Sequence, residues 1–258
     1  MNALFDIKGK VALVTGGAQG MGRMIAEGLV RAGAKVYVSS RKADVCASAV
    51  EEMSAFGSCH GLVADLDSAE AIVALAEQLK ARESRLDILV NNAGRTWGAP
   101  LESFPDKAWA PVMTVNVQGP FTLVRELLPL LRAAARRDAP ARVINIGSLA
   151  GALVEPVPAY SYVASKAAIH HLSRVLAAEL APAFITVNAI VPGYFPTKMT
   201  AHLRQEEERF AELEARIPLQ RLGSPEDITG MCIFLSSRAG AYITGSELSL
   251  DGGMLGCR

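Results

Sequence analysis

The sequence predicts an α/β fold, a doubly wound parallel sheet of about seven strands with helices on both faces. Short β-branched runs alternate with helix-length amphipathic segments along the whole 258-residue chain, and this alternation is typical of βαβ units. A glycine-rich turn follows the first of these runs, which is where such folds bind nucleotides. No proline-, glycine- or serine-rich tract divides the chain, and no repeat of about 20–50 residues occurs. We therefore interpret residues 1–258 as a single domain.

The seven candidate strands are short runs rich in valine, isoleucine and leucine. They span residues 11–15, 35–39, 61–64, 87–91, 142–146, 185–190 and 247–250. Helices are predicted near 20–32, 42–56, 68–83, 106–135, 160–181 and 225–237, with a break in the fourth near Asn116. The start of the last helix follows from its chemistry, because Ser224 supplies a capping hydroxyl and Pro225 suits the first helical position. Glu226 and Asp227 then stabilise the positive end of the helix dipole.

Composition predicts a globular protein with a large core and no strong charge. Half of the residues are hydrophobic, and 26 basic residues balance 26 acidic ones, which argues against a general nucleic-acid binder. The N-terminus lacks the features of a secretory signal, and charged residues interrupt each apolar stretch before about 18 apolar residues accumulate. We therefore expect no membrane span and a cytoplasmic location. Four scattered cysteines without a C-x-x-C pair predict reduced thiols and no metal site.

The glycine-rich turn TGGAQGMG lies between the first strand and the first helix. Gly16, Gly20 and Gly22 lack Cβ atoms, so the backbone can turn tightly and approach a pyrophosphate at the helix N-terminus. Strand, turn and helix in this order predict a dinucleotide site. Gln19 and Met21 belong to the same turn and are included among its candidate residues.

Arg41 follows the second strand, about 20 residues beyond the glycine turn, where the two nicotinamide cofactors are distinguished. A guanidinium can bind a 2′-phosphate in a bidentate fashion, whereas an acidic residue would repel it. We therefore predict NADP(H) as the preferred cofactor, with NAD(H) as the alternative. Asp65 follows the third strand, where it either bonds the adenine or caps the next helix. Leu66 beside it is included among the cofactor-binding candidates.

Asparagine and glycine follow the fourth strand in the sequence NNAG. The side-chain amides of Asn91 and Asn92 can satisfy backbone groups left unpaired at the carboxyl edge of the sheet. Gly94 leaves room for a bound ribose, because it has no side chain. This position suits a ligand crevice, since open α/β sheets bind ligands at the carboxyl ends of their strands.

A serine, a tyrosine and a lysine carry the predicted chemistry. Ser148 follows the fifth strand, and Tyr162 and Lys166 lie in the sequence YVASK. Residues at i and i+4 project from the same face of a helix, so the lysine ammonium can approach the tyrosine phenol. A nearby positive charge would depress the phenol pKa from about 10 toward neutral pH. The pair therefore predicts a proton donor.

The motifs in this order resemble the short-chain dehydrogenase/reductase family over nearly the whole chain. TGGAQGMG is similar to the nucleotide loop of the family, NNAG to its sheet-stabilising turn, and NVQG to its asparagine element. IGS, YVASK and PGYFPT are similar to its serine, its tyrosine–lysine pair and its post-strand turn. The resemblance implies one Rossmann-like domain and a redox reaction between a nicotinamide cofactor and a ketone or aldehyde, without a metal.

The resemblance also implies roles for individual residues. Tyr162 would be the general acid, and Ser148 would polarise the substrate carbonyl. Lys166 would lower the phenol pKa and bind the nicotinamide ribose, while Asn116 would hold a water that links Lys166 to solvent. The residues implied to line the cofactor are Asn92, Pro192, Gly193, Thr197 and the backbone of Phe195. A homotetramer is implied as well, and the apolar helices at 106–135 and 160–181 would suit its interface.

Within the family, PLQRLGSPEDI and GAYITG resemble 3-oxoacyl thioester reductases, including the rhamnolipid-associated branch. A reductase that acts on carrier-protein thioesters should present a basic dock to its acidic partner. Four arginines either form such a dock or solvate a helix end: Arg132, Arg136, Arg137 and Arg142. Ala183 and Phe184 stand where the resemblance would place a basic residue, and this argues against a carrier-protein substrate.

Three functions remain open from the sequence. The first is an NADPH-dependent reductase of a carbonyl substrate, with a 3-oxoacyl thioester as one candidate. The second is a dehydrogenase of a secondary alcohol, a sugar or a steroid, and the third is a regulator that binds NAD(P)H without turnover. The complete set of Asn116, Ser148, Tyr162 and Lys166 favours an enzyme. Residues 192–222 are interpreted either as a substrate flap or as a solvated surface helix.

Overall fold

Seven strands form the centre of the computed structural model, which describes residues 3–155, 157–197 and 207–257. The strands are β1 (Val11–Val14), β2 (Lys35–Ser40), β3 (Cys59–Val63), β4 (Ile88–Asn91), β5 (Ala141–Ile146), β6 (Ile185–Pro192) and β7 (Glu247–Leu250). Their order in the sheet is β3-β2-β1-β4-β5-β6-β7, and every neighbouring pair is parallel. The predicted fold class is therefore confirmed.

Eight α-helices connect or follow these strands in the described residues. They are α1 (Gly20–Arg31), α2 (Ala43–Ser54), α3 (Ala69–Lys80), α4 (Trp109–Met113), α5 (Gly119–Ala134), α6 (Tyr160–Leu180), α7 (Glu207–Arg216) and α8 (Pro225–Ser236). The predicted break at Asn116 is confirmed, because a π-helical turn over Thr114–Gln118 separates α4 from α5. The predicted cap of α8 is confirmed too, since Ser224 and Asp227 form a reciprocal capping box. None of the described helices has the length and apolar character needed to cross a bilayer.

Both faces of the sheet are covered, which explains why the central strands are apolar on both sides. In β1, Ala12 and Val14 pack into the layer that contains α1, α2 and α8. Val11 and Leu13 point the other way, into the layer of α3, α5 and α6. The strand order reverses between β1 and β4, and this reversal opens a crevice at the carboxyl edge of the sheet.

Arg142 does not belong to a basic dock, so that part of the sequence interpretation is wrong. Its side chain is 1% exposed, and Nη2 donates to the Ser237 carbonyl at 3.0 Å. Burial lowers the pKa of its guanidinium to about 10. Arg132, Arg136 and Arg137 are exposed, but they lie at or beyond the C-terminal end of α5. Within one chain, they are thus at the opposite edge of the sheet from the glycine turn.

The predicted flap at 192–222 is described only in part, because residues 198–206 lie outside the described residues. The described parts contact the loop after Ser148 through the carboxylate of Glu155. The Tyr194 hydroxyl donates to Glu155 Oε2 at 2.9 Å, and Arg216 Nη2 lies 3.0 Å from the same oxygen. Burial, followed by the contact with Glu155, raises the pKa of Tyr194 to about 12. Because the Glu155 side chain is almost fully buried, these contacts attach the described parts of 192–222 to the rest of the protein, and the substrate flap stays a prediction.

Candidate active site

The crevice between β1 and β4 is held together by Thr15 and Asn92. Thr15 Oγ1 accepts hydrogen bonds from the backbone N–H groups of Asn92 at 3.0 Å and Ala93 at 2.9 Å. Asn92 Nδ2 donates in return to the Thr15 carbonyl at 2.9 Å. The prediction that these side chains satisfy backbone groups at the sheet edge is thus confirmed for Asn92. It is wrong for Asn91, whose Nδ2 donates to the side chain of Asn145 at 2.8 Å. The sequence analysis missed Thr15, although a hydroxyl at a strand end is a recognisable signal.

The glycine turn adopts a conformation that fits a dinucleotide. Gly16 and Gly20 have φ angles of 63° and 55°, in the left-handed region that favours glycine. A Cβ on Gly22 would lie 2.3 Å from Asn92 Nδ2 and 2.4 Å from the Gly16 carbonyl. Helix α1 then begins at Gly20 without a side-chain cap, so its first N–H groups suit a pyrophosphate.

Gly94 borders a gap that suits a ribose. A Cβ built on it would lie 3.7 Å from Asn116 Oδ1 and 3.9 Å from Lys166 Nζ. A side chain here would fill the space between these two polar groups. The surrounding donors and acceptors suit a sugar hydroxyl, and the ribose contact of this glycine stays a prediction.

The residues predicted for the adenosine half of the cofactor lie after β2 and β3. Arg41 and Asp65 are exposed at these strand ends. Leu66 instead has a buried side chain in the apolar core, so only its backbone can serve a cofactor. Ser39 Oγ accepts from the Gly16 backbone N–H at 3.3 Å and ties β2 to the glycine turn.

A cleft of about 600 Å³ opens between α1 and α2 beside the glycine turn. Gln19, Gly20, Arg23 and Asp44 are among its lining residues, whereas Arg41 is not. Arg23 forms an ion pair with Glu52 across the two helices. The sequence analysis missed Arg23, although it lies one helical turn beyond Gln19. Met21 has a different environment, because it packs against the core on the α1 side of the sheet.

The turn after β6 approaches the glycine loop from the other side. Pro192 ends β6, and the Gly193 N–H donates to the Leu250 carbonyl at 3.0 Å. Thr197 Cβ lies 3.7 Å from the position of a Cβ on Gly20. The Phe195 side chain is buried and packs against Gly223, and the cofactor contact of its backbone stays a prediction.

Ser148, Tyr162 and Lys166 meet at the carboxyl end of β5, as the motif spacing predicted. Ser148 lies near enough to Tyr162 for its hydroxyl to lower the pKa of the phenol, and Ser148 Oγ accepts from the Ala150 N–H at 3.2 Å. Lys166 Nζ donates to the Ile146 carbonyl at 2.7 Å and lies 5.6 Å from the centroid of the Tyr162 ring. The sequence therefore predicted correctly that these three residues lie together, and their catalytic roles stay predictions.

The direction of the Tyr162 pKa shift is opposite to the one predicted from the lysine. Burial raises the pKa of the phenol because it penalises the phenolate, and the nearby Ser148 hydroxyl opposes this only in part. Burial also lowers the pKa of Lys166 to about 8. At neutral pH the phenol thus carries its proton and can donate it.

Asn116 lies in the π-helical turn and is 2% exposed. Its Oδ1 accepts from the Arg95 N–H at 2.8 Å, and its Nδ2 donates to the Arg95 carbonyl and to Ser165 Oγ. Ser165, which the sequence analysis missed, donates in turn to the Tyr162 carbonyl at 2.7 Å. The side-chain amide is thus committed to protein groups, and the predicted water contact stays a prediction.

The parallel sheet, its nucleotide-type turn and the adjacent serine, tyrosine and lysine together define an oxidoreductase of the nicotinamide-dependent class. The family profile described as enoyl-(acyl carrier protein) reductase matches residues 16–255. The chain belongs to the short-chain dehydrogenase/reductase family.

Two relatives and one solved structure indicate the range of activities near this sequence. A Pseudomonas aeruginosa protein named rhamnolipids biosynthesis 3-oxoacyl-[acyl-carrier-protein] reductase is 47% identical, with 98% of this chain and 99% of that protein covered. The structure described as Pseudomonas aeruginosa RhlG/NADP active-site complex has a TM-score of 0.96 and 47% identity, with 98% and 99% covered. A 2-dehydro-3-deoxy-D-gluconate 5-dehydrogenase of Pseudoalteromonas atlantica is 39% identical, with 98% of each chain covered.

Proposed function

We propose that this chain is an NADPH-dependent reductase of carbonyl compounds and that its substrate is a 3-oxoacyl thioester. The observation that carries the reductase proposal is that Ser148 and Tyr162 lie together beside the buried Lys166 at the carboxyl end of β5. A regulator that only binds the cofactor has no need for a buried phenol paired with a serine. The likeness to a protein named as a 3-oxoacyl-[acyl-carrier-protein] reductase supports the substrate proposal.

In the proposed reaction, the Ser148 and Tyr162 hydroxyls bind the carbonyl oxygen of the substrate. The phenol holds its proton at neutral pH because burial raises its pKa, and it donates that proton as negative charge develops on the oxygen. NADPH, when bound, supplies the hydride that the carbonyl carbon receives. The Lys166 ammonium stabilises the phenolate that remains, and it binds ribose hydroxyls in the gap beside Gly94.

The cofactor proposal assigns each part of NADPH to a described group. The N-terminus of α1 receives the pyrophosphate, with Gly16, Gly20 and Gly22 allowing its close approach. Arg41 binds the 2′-phosphate from the end of β2. Asp65 and the backbones of Leu66, Pro192, Gly193 and Phe195 line the adenine and nicotinamide ends.

Arg41→Asp should shift the cofactor preference toward NADH. The substitution removes a charge-assisted hydrogen bond to the 2′-phosphate and adds a repulsive carboxylate, so we expect the NADPH/NADH ratio of kcat/KM to fall by about 10- to 100-fold. Fluorescence titration with both cofactors gives the same comparison without a substrate. Lys42→Asp is the matched control, because it makes the same charge change at the next position. An unchanged NADPH/NADH ratio in Arg41→Asp would contradict the proposed contact between Arg41 and the 2′-phosphate.

Exposed apolar side chains beside the catalytic residues support an acyl substrate. The Ala99 N–H donates to the Pro158 carbonyl at 2.9 Å, so the segment after Gly94 and the loop after Ser148 lie side by side. Trp97 on the first segment is 40% exposed, and Val154 on the second is 95% exposed. An acyl chain would cover such groups, whereas a sugar acid would need polar partners for its hydroxyls.

Trp97→Ala should lower the preference for long acyl chains. Removing the indole deletes apolar contact area worth about 1.5–3 kcal/mol, so we expect the long-chain to short-chain ratio of kcat/KM to fall by about 10-fold or more. Trp109→Ala is the matched control, because Trp109 has the same exposure of 40% but packs edge-on against Phe104. If wild type oxidises sugar acids faster than it reduces any 3-oxoacyl thioester, the dehydrogenase alternative replaces the substrate proposal.

The further parts of the proposal concern assembly and location. We propose a cytoplasmic homotetramer in which each chain is a single domain over residues 1–258, with a substrate flap at 192–222. Phe121 on α5 is 41% exposed and Val175 on α6 is 49% exposed. A second copy of this chain, packed on these two helices, would cover both side chains.

A further inference from the structure

His170 is a buried histidine on α6 that joins the catalytic serine to β7. It is 3% exposed and follows Lys166 by one helical turn. The Ser148 backbone N–H donates to His170 Nε2 at 3.3 Å, and His170 Nδ1 lies 3.4 Å from Glu247 Oε2. An acceptor at Nε2 requires that the ring proton sits on Nδ1, where it faces the Glu247 carboxylate.

Gly147 explains how the histidine ring reaches the backbone of Ser148. A Cβ on Gly147 would lie 2.1 Å from His170 Nε2 and 2.7 Å from Cδ2, so the ring occupies the space that a side chain would need. The Gly147 N–H donates to the Ile190 carbonyl at 2.7 Å. The backbone before Ser148 is therefore held by β6, and the backbone of Ser148 itself is held by the histidine.

We infer that His170 is a positioning residue, which fixes Ser148 for carbonyl binding and is itself oriented by Glu247. The inference rests on the proposed reductase function, in which the Ser148 hydroxyl must point at the substrate oxygen together with Tyr162. A displacement of about 1 Å in such a group can cost about 100-fold in rate. The residue acts through Ser148 and does not itself touch the substrate.

The charges around His170 keep its ring neutral. Burial lowers its pKa first, Glu247 on β7 raises it, and Lys166 and Arg174 on α6 lower it. Arg174 also pairs with the far oxygen of Glu247, at 2.8 Å, and the Ile190 carbonyl of β6 lies 3.1 Å from the position of a Cβ on Gly147. If Nε2 were protonated, its N–H and the Ser148 N–H would be two donors facing each other, and the hydrogen bond between them could not form. The positioning contact should therefore be lost on acidification.

A measurement that needs no turnover tests the contact directly. In 15N-labelled protein at neutral pH, long-range ring correlations report which nitrogen of each histidine carries the proton. The His170 signals are assigned by their loss in His170→Gln. We expect a neutral ring with the proton on Nδ1, and a ring protonated at Nε2, or at both nitrogens, would overturn the inference.

Two variants at His170 separate positioning from folding. His170→Leu removes the acceptor, so we expect kcat to fall by about 10- to 100-fold with an unchanged Kd for NADPH. His170→Gln retains an acceptor oxygen, so it should recover most of kcat. Because an amide does not titrate, its kcat should no longer fall at acidic pH. His171→Leu at the exposed neighbouring position is the matched control. Equal losses in Leu and Gln, or none in Leu, would refute the positioning role.

Gly147 provides an independent variant in case His170→Leu does not fold. Gly147→Ala alone should lower Tm and kcat, because its methyl meets the ring. Gly147→Ala combined with His170→Ala should regain part of the lost Tm but not kcat. The clash with the ring is relieved, although the Ile190 carbonyl still lies 3.1 Å from the added Cβ, and the acceptor is gone. If the double variant regains full kcat, the histidine has no positioning role. A wild type that reduces no carbonyl compound refutes the proposed function instead, and the 15N result then decides the histidine contact alone.

Discussion

Tyr162→Phe is expected to lower kcat by about 10²- to 10⁴-fold, because it removes the proposed proton donor. The aromatic ring stays, so the packing of this half-buried position on α6 is retained. NADPH binding should be unchanged, since the cofactor contacts that we assign depend on Lys166 and the glycine turn. The measurements are NADPH consumption with a 3-oxoacyl thioester and NADPH titration by fluorescence.

Tyr160→Phe is the matched control for this prediction. Tyr160 opens the same helix, but its ring packs edge-on against Phe104 and its residue at i+4 is Ala164. We expect Tyr160→Phe to keep wild-type kcat. Full activity in Tyr162→Phe with normal NADPH binding would remove the phenol from the mechanism.

The sequence was sufficient to predict the sheet because its strand signals are local. The run VALV is buried on both faces and is continuously apolar, and ARVINI is buried throughout, with a β-branched centre. The glycine turn is also local, because a positive φ at Gly16 and Gly20 needs a particular residue type at a particular place. The Tyr162 and Lys166 pairing follows from helical spacing alone.

Features that depend on tertiary packing could not be predicted from such local sequence signals. Arg142 looked like a surface charge beside three exposed arginines, yet it is the second residue of the interior strand β5, where both faces are covered. The raised pKa of Tyr162 likewise reflects burial, which outweighs the effect that spacing suggests for the lysine. His170 was missed because its partners, Ser148 and Glu247, are distant in sequence and meet only when β7 joins the sheet.

Lys166→Met is expected to lower kcat by about 10²- to 10⁴-fold and also to change how stability depends on pH. The folded pKa of Lys166 is about 8 and its unperturbed value is 10.5. Between these values the unfolded chain holds a proton that the folded chain has released, so the free energy of unfolding rises with pH in this window. Lys166→Met removes that contribution, and the slope should fall by up to about 1.4 kcal/mol per pH unit. Urea unfolding at a series of pH values measures it.

Lys10→Met is the control that distinguishes the catalytic role of Lys166 from the effect of Lys166 on stability. Burial also lowers the pKa of Lys10 to about 8, and its Nζ donates to the Ser236 carbonyl at 2.7 Å. Lys10 precedes β1, so it lies at the amino edge of the sheet, away from Tyr162. We therefore expect Lys10→Met to lose the same pH-dependent stability and to keep wild-type kcat. Equal losses of kcat in both variants would mean that Lys166 acts through stability, whereas a loss confined to Lys166→Met assigns its ammonium to the reaction.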